Sequence, residues 1–200
     1  MKKKGIFGGT FDPIHNGHLH VAYEALYNLK LDEIIFIPSG NPPHKTNKIV
    51  TDAKIRYGLV KMVVKDEKKF KVSDYEIKKN GLSYTYETLE FFNKLEPNTQ
   101  WYFITGADCL MEIYTWKNID AIFNSCKFVV FNRSGYKKED ILKQKSEVES
   151  KFDKEIIFLD IPILEISSTL IRSKIKEGKN ISYLVPKNLN ETLKKMNVYR

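Results

Sequence analysis

The sequence predicts an α/β fold: a doubly wound, mostly parallel sheet with helices on both faces. Three observations predict it. Compact apolar runs of strand length recur along the chain and alternate with stretches of helical periodicity. A glycine-rich turn follows the first such run and opens the first helical stretch. The 200 residues, 42% of them apolar, suffice to close one core, and no linker, internal repeat or low-complexity block divides them.

In chain order, residues 3–7 read as a short buried strand and residues 8–13 (GGTFDP) as a turn. Leu19, Ala22, Tyr23, Leu26 and Leu29 then recur at helical spacing. Residues 33–38 (EIIFIP) form a second strand. Consecutive prolines at Pro42 and Pro43 force the next stretch into a loop, and residues 51–64 resume a helix. Residues 101–105 (WYFIT), 127–131 (KFVVF) and 155–159 (EIIFL) are further strands separated by helical patterning. The charged run 137–151 reads as a solvated helix. A sheet of this kind binds ligands outside the carboxyl ends of its strands.

Composition narrows the function classes. Lys and Arg number 33 against 25 Asp and Glu, a formal charge of +8 that favours anionic partners. The lysines are scattered, with no basic stripe interleaved with aromatics, so nucleic acid is not expected. Cys109 and Cys126 are the two cysteines, too few for a disulfide scaffold or a zinc site. No run approaches the roughly 20 apolar residues that span a bilayer, and the N-terminus lacks a signal-peptide pattern. A cytoplasmic protein is expected. The sequence exposes no interface and leaves a homo-oligomer open.

The densest chemical feature is the run from Gly8 to His18, GGTFDPIHNGH. Gly8 and Gly9 let backbone N–H groups approach an anion, and the helix start behind them adds unpaired donors and the positive end of its macrodipole. This is neither GxGxxG nor GxxxxGK[ST], so phosphate is bound in another way. His15 and His18, three apart at the helix entry, can present both rings to one phosphate region. An isolated pair of this kind is usually a surface or capping pair. A metal pair finds no completing carboxylate or cysteine cluster, so no protein metal ligand is assigned. The position after the first strand turns the reading to function.

The second feature is residues 166–172, ISSTLIR, ahead of a helix that ends near Gly178. Ser167 or Ser168 could simply cap that helix. Hydroxyls at a helix start with Arg172 one turn on also make a triphosphate clamp, because guanidinium binds phosphate bidentately.

Together the two motifs resemble the nucleotidyltransferase superfamily with HxGH and ISSTxxR signatures, which joins both around one ATP. Between them the chain resembles the bacterial nicotinate-nucleotide adenylyltransferases, through NPPHK at 41–45, SYT at 83–85 with Thr88 and Leu89, GAD at 106–108, TWK at 115–117, Arg133 with Gly135 and Tyr136, and YLVP at 183–186. Ser134 departs from the proline usual after that arginine, and the tail from Asn190 to Tyr199 is less typical.

The resemblance implies a Rossmann-like sheet and one nucleotidyltransferase domain over 1–200, with a helical part at 160–200 completing the ATP site. It implies direct attack of the phosphate of nicotinate mononucleotide on the α-phosphate of ATP, giving nicotinate adenine dinucleotide and pyrophosphate, with Mg²⁺ bound mainly through the ATP phosphates. Gly8, Gly9, Thr10, Phe11, His15, His18, Gly106, Asp108, Ser168, Thr169 and Arg172 are implied at ATP, with His15, His18 and Arg172 catalytic. Lys45, Tyr84, Thr85, Trp116 and Arg133 are implied at the nicotinate nucleotide. Within the superfamily the alternative is an enzyme of the pantetheine-phosphate adenylyltransferase kind, which is expected to lack the NPPHK, SYT and TWK set. A catalytically silent nucleotide-binding module could lose His15 or His18 without losing adenine recognition, yet both are present with Arg172.

Overall fold

A computed structural model of the chain describes residues 1–41, 50–79, 81–196 and 198–199. Six parallel strands, β1 (Lys2–Gly9), β2 (Glu33–Pro38), β3 (Phe70–Val72), β4 (Thr99–Gly106), β5 (Lys127–Phe131) and β6 (Ile156–Leu159), form one sheet in the order β3-β2-β1-β4-β5-β6. The expectation of a mostly parallel sheet is met by one in which every described pair is parallel. β3 is an addition: at three residues behind a lysine-rich turn it carries no periodic signal, and it is recruited by pairing Ile34 with Phe70.

Side chains alternate across the strands with period two and build a core on each face. Phe7, Ile34, Phe36, Tyr102 and Ile104 point to one side. Ile6, Ile35, Ile37, Trp101 and Phe103 point to the other. Helices α1 (Asn16–Asn28), α2 (Ala53–Val64), α8 (Ser168–Lys176) and α9 (Lys187–Met196) cover the first face through Ala22, Leu26, Leu59, Val60, Ile171, Leu189 and Leu193. The second is covered by α4 (Thr85–Leu95), α5 (Ala107–Met111), α6 (Ile119–Ser125) and α7 (Lys138–Phe152), through Leu89, Phe92, Leu110, Ile122, Ile141 and Val148. A short helix α3 (Tyr75–Lys78) links β3 to α4.

Candidate active site

β1 and β4 lie side by side, yet the chain leaves β1 toward β2 and leaves β4 toward β5. Connections therefore diverge beyond the carboxyl ends of these two strands, and a crevice opens there. The cleft has a volume of ≈ 1170 Å³. It is lined by Gly8, Gly9, Thr10, Phe11, His15 and His18 after β1, by Tyr84 and Thr85 at α4, by Gly106, Asp108 and Trp116 after β4, by Arg133 after β5, and by Ser168, Thr169 and Arg172 at α8. The fold thus brings into one cavity all but one of the residues that the sequence implied at ATP or the nicotinate nucleotide. Lys45, with Pro42, Pro43 and His44, lies outside the described residues.

The first loop is shaped by packing. Phe11 has φ +49°, a left-handed conformation uncommon for a bulky residue, held by a fully buried ring against Phe7, Phe36 and the His18 ring. Gly9 is required because that ring lies over it: a Cβ there would stand 2.9 Å from the Phe11 ring. His15 caps α1, and its amide donates to His18 Nδ1 at 3.2 Å. With Nδ1 accepting, the proton of a neutral His18 ring sits on Nε2, leaving that edge a donor. The two imidazoles stack at 3.7 Å. Burial, helped by the charge of Arg133, pulls the His15 pKa down to about 3, so this ring is neutral at physiological pH.

The second motif docks on the first. Ser168 donates to the Pro13 carbonyl at 2.8 Å, and Arg172 Nη1 donates to the Asp12 carbonyl at 2.7 Å. Ser167 is the residue that caps α8, accepting from the Leu170 amide. Arg172 Nη2 also reaches Thr169 Oγ1 at 3.3 Å. The guanidinium is only partly covered.

On the other side of the cleft, Trp116 stands edge-on to Phe103 and Phe128 while its ring also lines the cavity. Asp108 and Arg133 pair across the mouth at 2.6 Å, leaving Asp108 Oδ1 buried and without a partner among the described residues. The α4 entrance is fixed by Glu76, whose carboxylate accepts from Thr88 Oγ1 at 2.9 Å and also binds Ser83 and the Gly40 backbone. Burial raises the Glu76 pKa against these hydrogen bonds. Cys109 lies in the same wall, and burial pushes its thiol up to about 11.

Three structural residues escaped the sequence reading. Arg56 is 1% exposed and donates to the carbonyls of Thr51, Thr10 and Ser39 at 2.8, 2.5 and 2.7 Å, tying together the loops after β1 and β2 and the entry to α2. Burial lowers its pKa, offset in part by Asp12. A signal existed: Arg56 shares the i, i+4, i+8 stripe of Val60 and Val64, where a charge has to find buried acceptors. Asp12, 5% exposed, accepts from Tyr199 Oη at 2.7 Å and from the Thr51 amide at 3.3 Å. Nothing in local spacing announces a contact between residues 12 and 199.

Known proteins resemble the chain in sequence and in fold. A family model described as cytidylyltransferase-like matches residues 6–174. A protein of Clostridium novyi (strain NT) named "Probable nicotinate-nucleotide adenylyltransferase" is 66% identical over the full length of both chains, and one of Clostridium tetani with the same name is 60% identical over the same extent. Among solved structures, the nicotinic acid mononucleotide adenylyltransferase of Plasmodium falciparum, complexed with NaAD, superposes with a TM-score of 0.78 at 23% identity, covering 100% of this chain and 98% of that one. At that identity it speaks for the fold; the full-length identities go further, and by them the chain belongs to the nicotinate-nucleotide adenylyltransferase family.

Proposed function

We propose that the chain transfers the adenylyl group of ATP to nicotinate mononucleotide, releasing pyrophosphate and forming nicotinate adenine dinucleotide, a step of NAD synthesis. One observation carries the residue-level reading: hydrogen bonds from Ser168 and Arg172 to the Pro13 and Asp12 carbonyls join the two phosphate-binding motifs in one cleft with Trp116 and Thr85. An oxygen of the acceptor phosphate attacks the α-phosphorus, its new P–O bond forming as the bond to the bridging oxygen of pyrophosphate breaks. A phosphate monoester with a second pKa near about 6 is largely dianionic at neutral pH, so no side chain has to remove a proton. The work left to the protein is positioning and charge stabilisation.

In this reading the starts of α1 and α8 receive the triphosphate, with His18 Nε2–H donating to the α-phosphate as charge moves onto the leaving group. His15, neutral and stacked on His18, holds that ring, and its neutrality keeps the pair from mutual repulsion. Arg172 spans the β- and γ-phosphates, with Ser168 and Thr169 beside it. Asp108 takes ribose hydroxyls, Trp116 stacks on the pyridine ring, and the first amides of α4 at Tyr84 and Thr85 meet the nicotinate carboxylate. Arg133, and Lys45 outside the described residues, are assigned to the acceptor phosphate.

Among the described residues no group of three or more His, Cys, Asp or Glu is placed to hold a metal, and both Asp12 oxygens already have partners. That donor set fits a Mg²⁺ carried on the triphosphate oxygens. Bound there, it would offset charge on the departing pyrophosphate. The cytoplasmic setting is part of the same proposal. The test is pyrophosphate release from ATP and nicotinate mononucleotide with Mg²⁺: release dependent on both substrates is expected, and its absence in folded protein overturns the reading.

A further inference from the structure

We propose that Tyr199, just beyond α9, is a positioning residue for the triphosphate, acting through Asp12 on Arg172. The proposal rests on the ATP role given to Arg172 above. Its starting point is the buried Asp12 carboxylate, whose oxygens are met by two neutral donors: Tyr199 Oη on Oδ1 at 2.7 Å and the Thr51 amide on Oδ2 at 3.3 Å. The Arg172 guanidinium stands 4.0 Å from Oδ2 and is held instead by the Asp12 carbonyl at 2.7 Å.

The charges explain why a hydroxyl is used here. Two guanidiniums act on Asp12, Arg172 at 4.0 Å and the buried Arg56, whose pKa the Asp12 charge raises, so the cluster carries a net positive charge. Neutral donors on the carboxylate satisfy it without drawing Arg172 fully into an ion pair. Remove the hydroxyl and Oδ1 loses the donor that meets it, while the Thr51 side chain loses its partner, which is costly. Turning toward Arg172 relieves that cost and spends the guanidinium on Asp12, away from phosphate. Burial and the Asp12 hydrogen bond raise the Tyr199 pKa, so the phenol keeps its proton. The ring itself packs against the α1/α2 face of the core, and that packing survives in phenylalanine.

The experiment is Tyr199→Phe, read by calorimetric binding of α,β-methylene-ATP, by the KM for each substrate and by the thermal midpoint. Analogue affinity is expected to fall on the order of tenfold and the KM for ATP to rise alike, with the acceptor KM and the midpoint nearly unchanged. In an Arg172→Ala background the same change is expected to cost nothing further, because the residue it acts through is gone. Unaltered analogue binding, a loss shared equally by both substrates with a lowered midpoint, or a full additional loss in the Arg172→Ala background would each overturn the proposal. Analogue binding needs no turnover, so a wild-type chain that released no pyrophosphate would overturn the activity and leave this test in force.

Discussion

The His15 amide donates to His18 Nδ1, and the consequence is directional: with Nδ1 accepting, Nε2 is the donor edge of the neutral ring. A donor of this kind matters most where charge develops. His18→Ala is expected to lower kcat by about 10² or more while changing ATP affinity little, as measured by steady-state kinetics beside analogue binding. His15 carries a different expectation. Its folded pKa of about 3 lies below the 6.5 of an ordinary histidine, so as pH falls through that interval the unfolded chain takes up the proton first. Stability from this group is therefore complete above about pH 6.5 and falls by roughly 1 kcal/mol per pH unit below it. Urea unfolding between pH 6.5 and 5, where most carboxylates are still charged, should show that slope in the wild type and a flatter one in His15→Gln. The histidine pair itself was legible in the sequence because it follows a strand and a glycine turn. The stripe of Val60 and Val64 signals that Arg56 is buried but not which carbonyls it binds, and nothing local signals Tyr199, because the partners of both lie far along the chain.

At the scale of elements, strands β2 and β5 match the sequence reading at both ends, because runs such as EIIFIP and KFVVF have sharp polar boundaries. β3 was invisible for the opposite reason: its three residues, FKV, become a strand only because β2 has an edge to offer. The turn from β4 into α5 supplies the test at this scale. A Cβ on Gly106 would stand 2.5 Å from Asp108 Oδ1 and 3.6 Å from Arg133 Cδ, while the backbone itself is extended and tolerates alanine. Gly106→Ala should therefore displace the Asp108 side chain and cost little folding energy. Catalytic efficiency with ATP is expected to drop at least about tenfold, with the thermal midpoint lowered by only a few degrees. Equal losses of activity and stability would place the fault in the strand instead of in Asp108.

For the whole molecule, alternating strands and helices forecast a parallel sheet, but no local pattern states that β1 and β4 are neighbours; that order comes from which faces can be buried together. The same global logic binds the last forty residues to the rest. Ile161, Ile171, Ile181, Leu184, Val185, Leu189 and Leu193 are all buried in the core around α1 and α2. At about 1.5–3 kcal/mol each they represent roughly 10–20 kcal/mol, comparable with the entire stability of an ordinary domain of about 5–15 kcal/mol. A chain stopped after Leu159 is expected to lose its cooperative urea transition, which circular dichroism would show. A last consequence concerns the Asp108–Arg133 pair. On the assignment proposed above, one member serves ATP and the other serves the acceptor, so whichever substrate arrives first must part them and leaves the remaining partner released for the second. The two ligands then tighten one another by the same factor, as thermodynamic reciprocity demands. A pair this exposed is worth at most about 1 kcal/mol, so the factor should stay within about fivefold and shrink as salt is added. Titrating nicotinate mononucleotide with and without α,β-methylene-ATP, at low and high ionic strength, measures it, and salt-independent or absent cooperation would mean the pair is no latch.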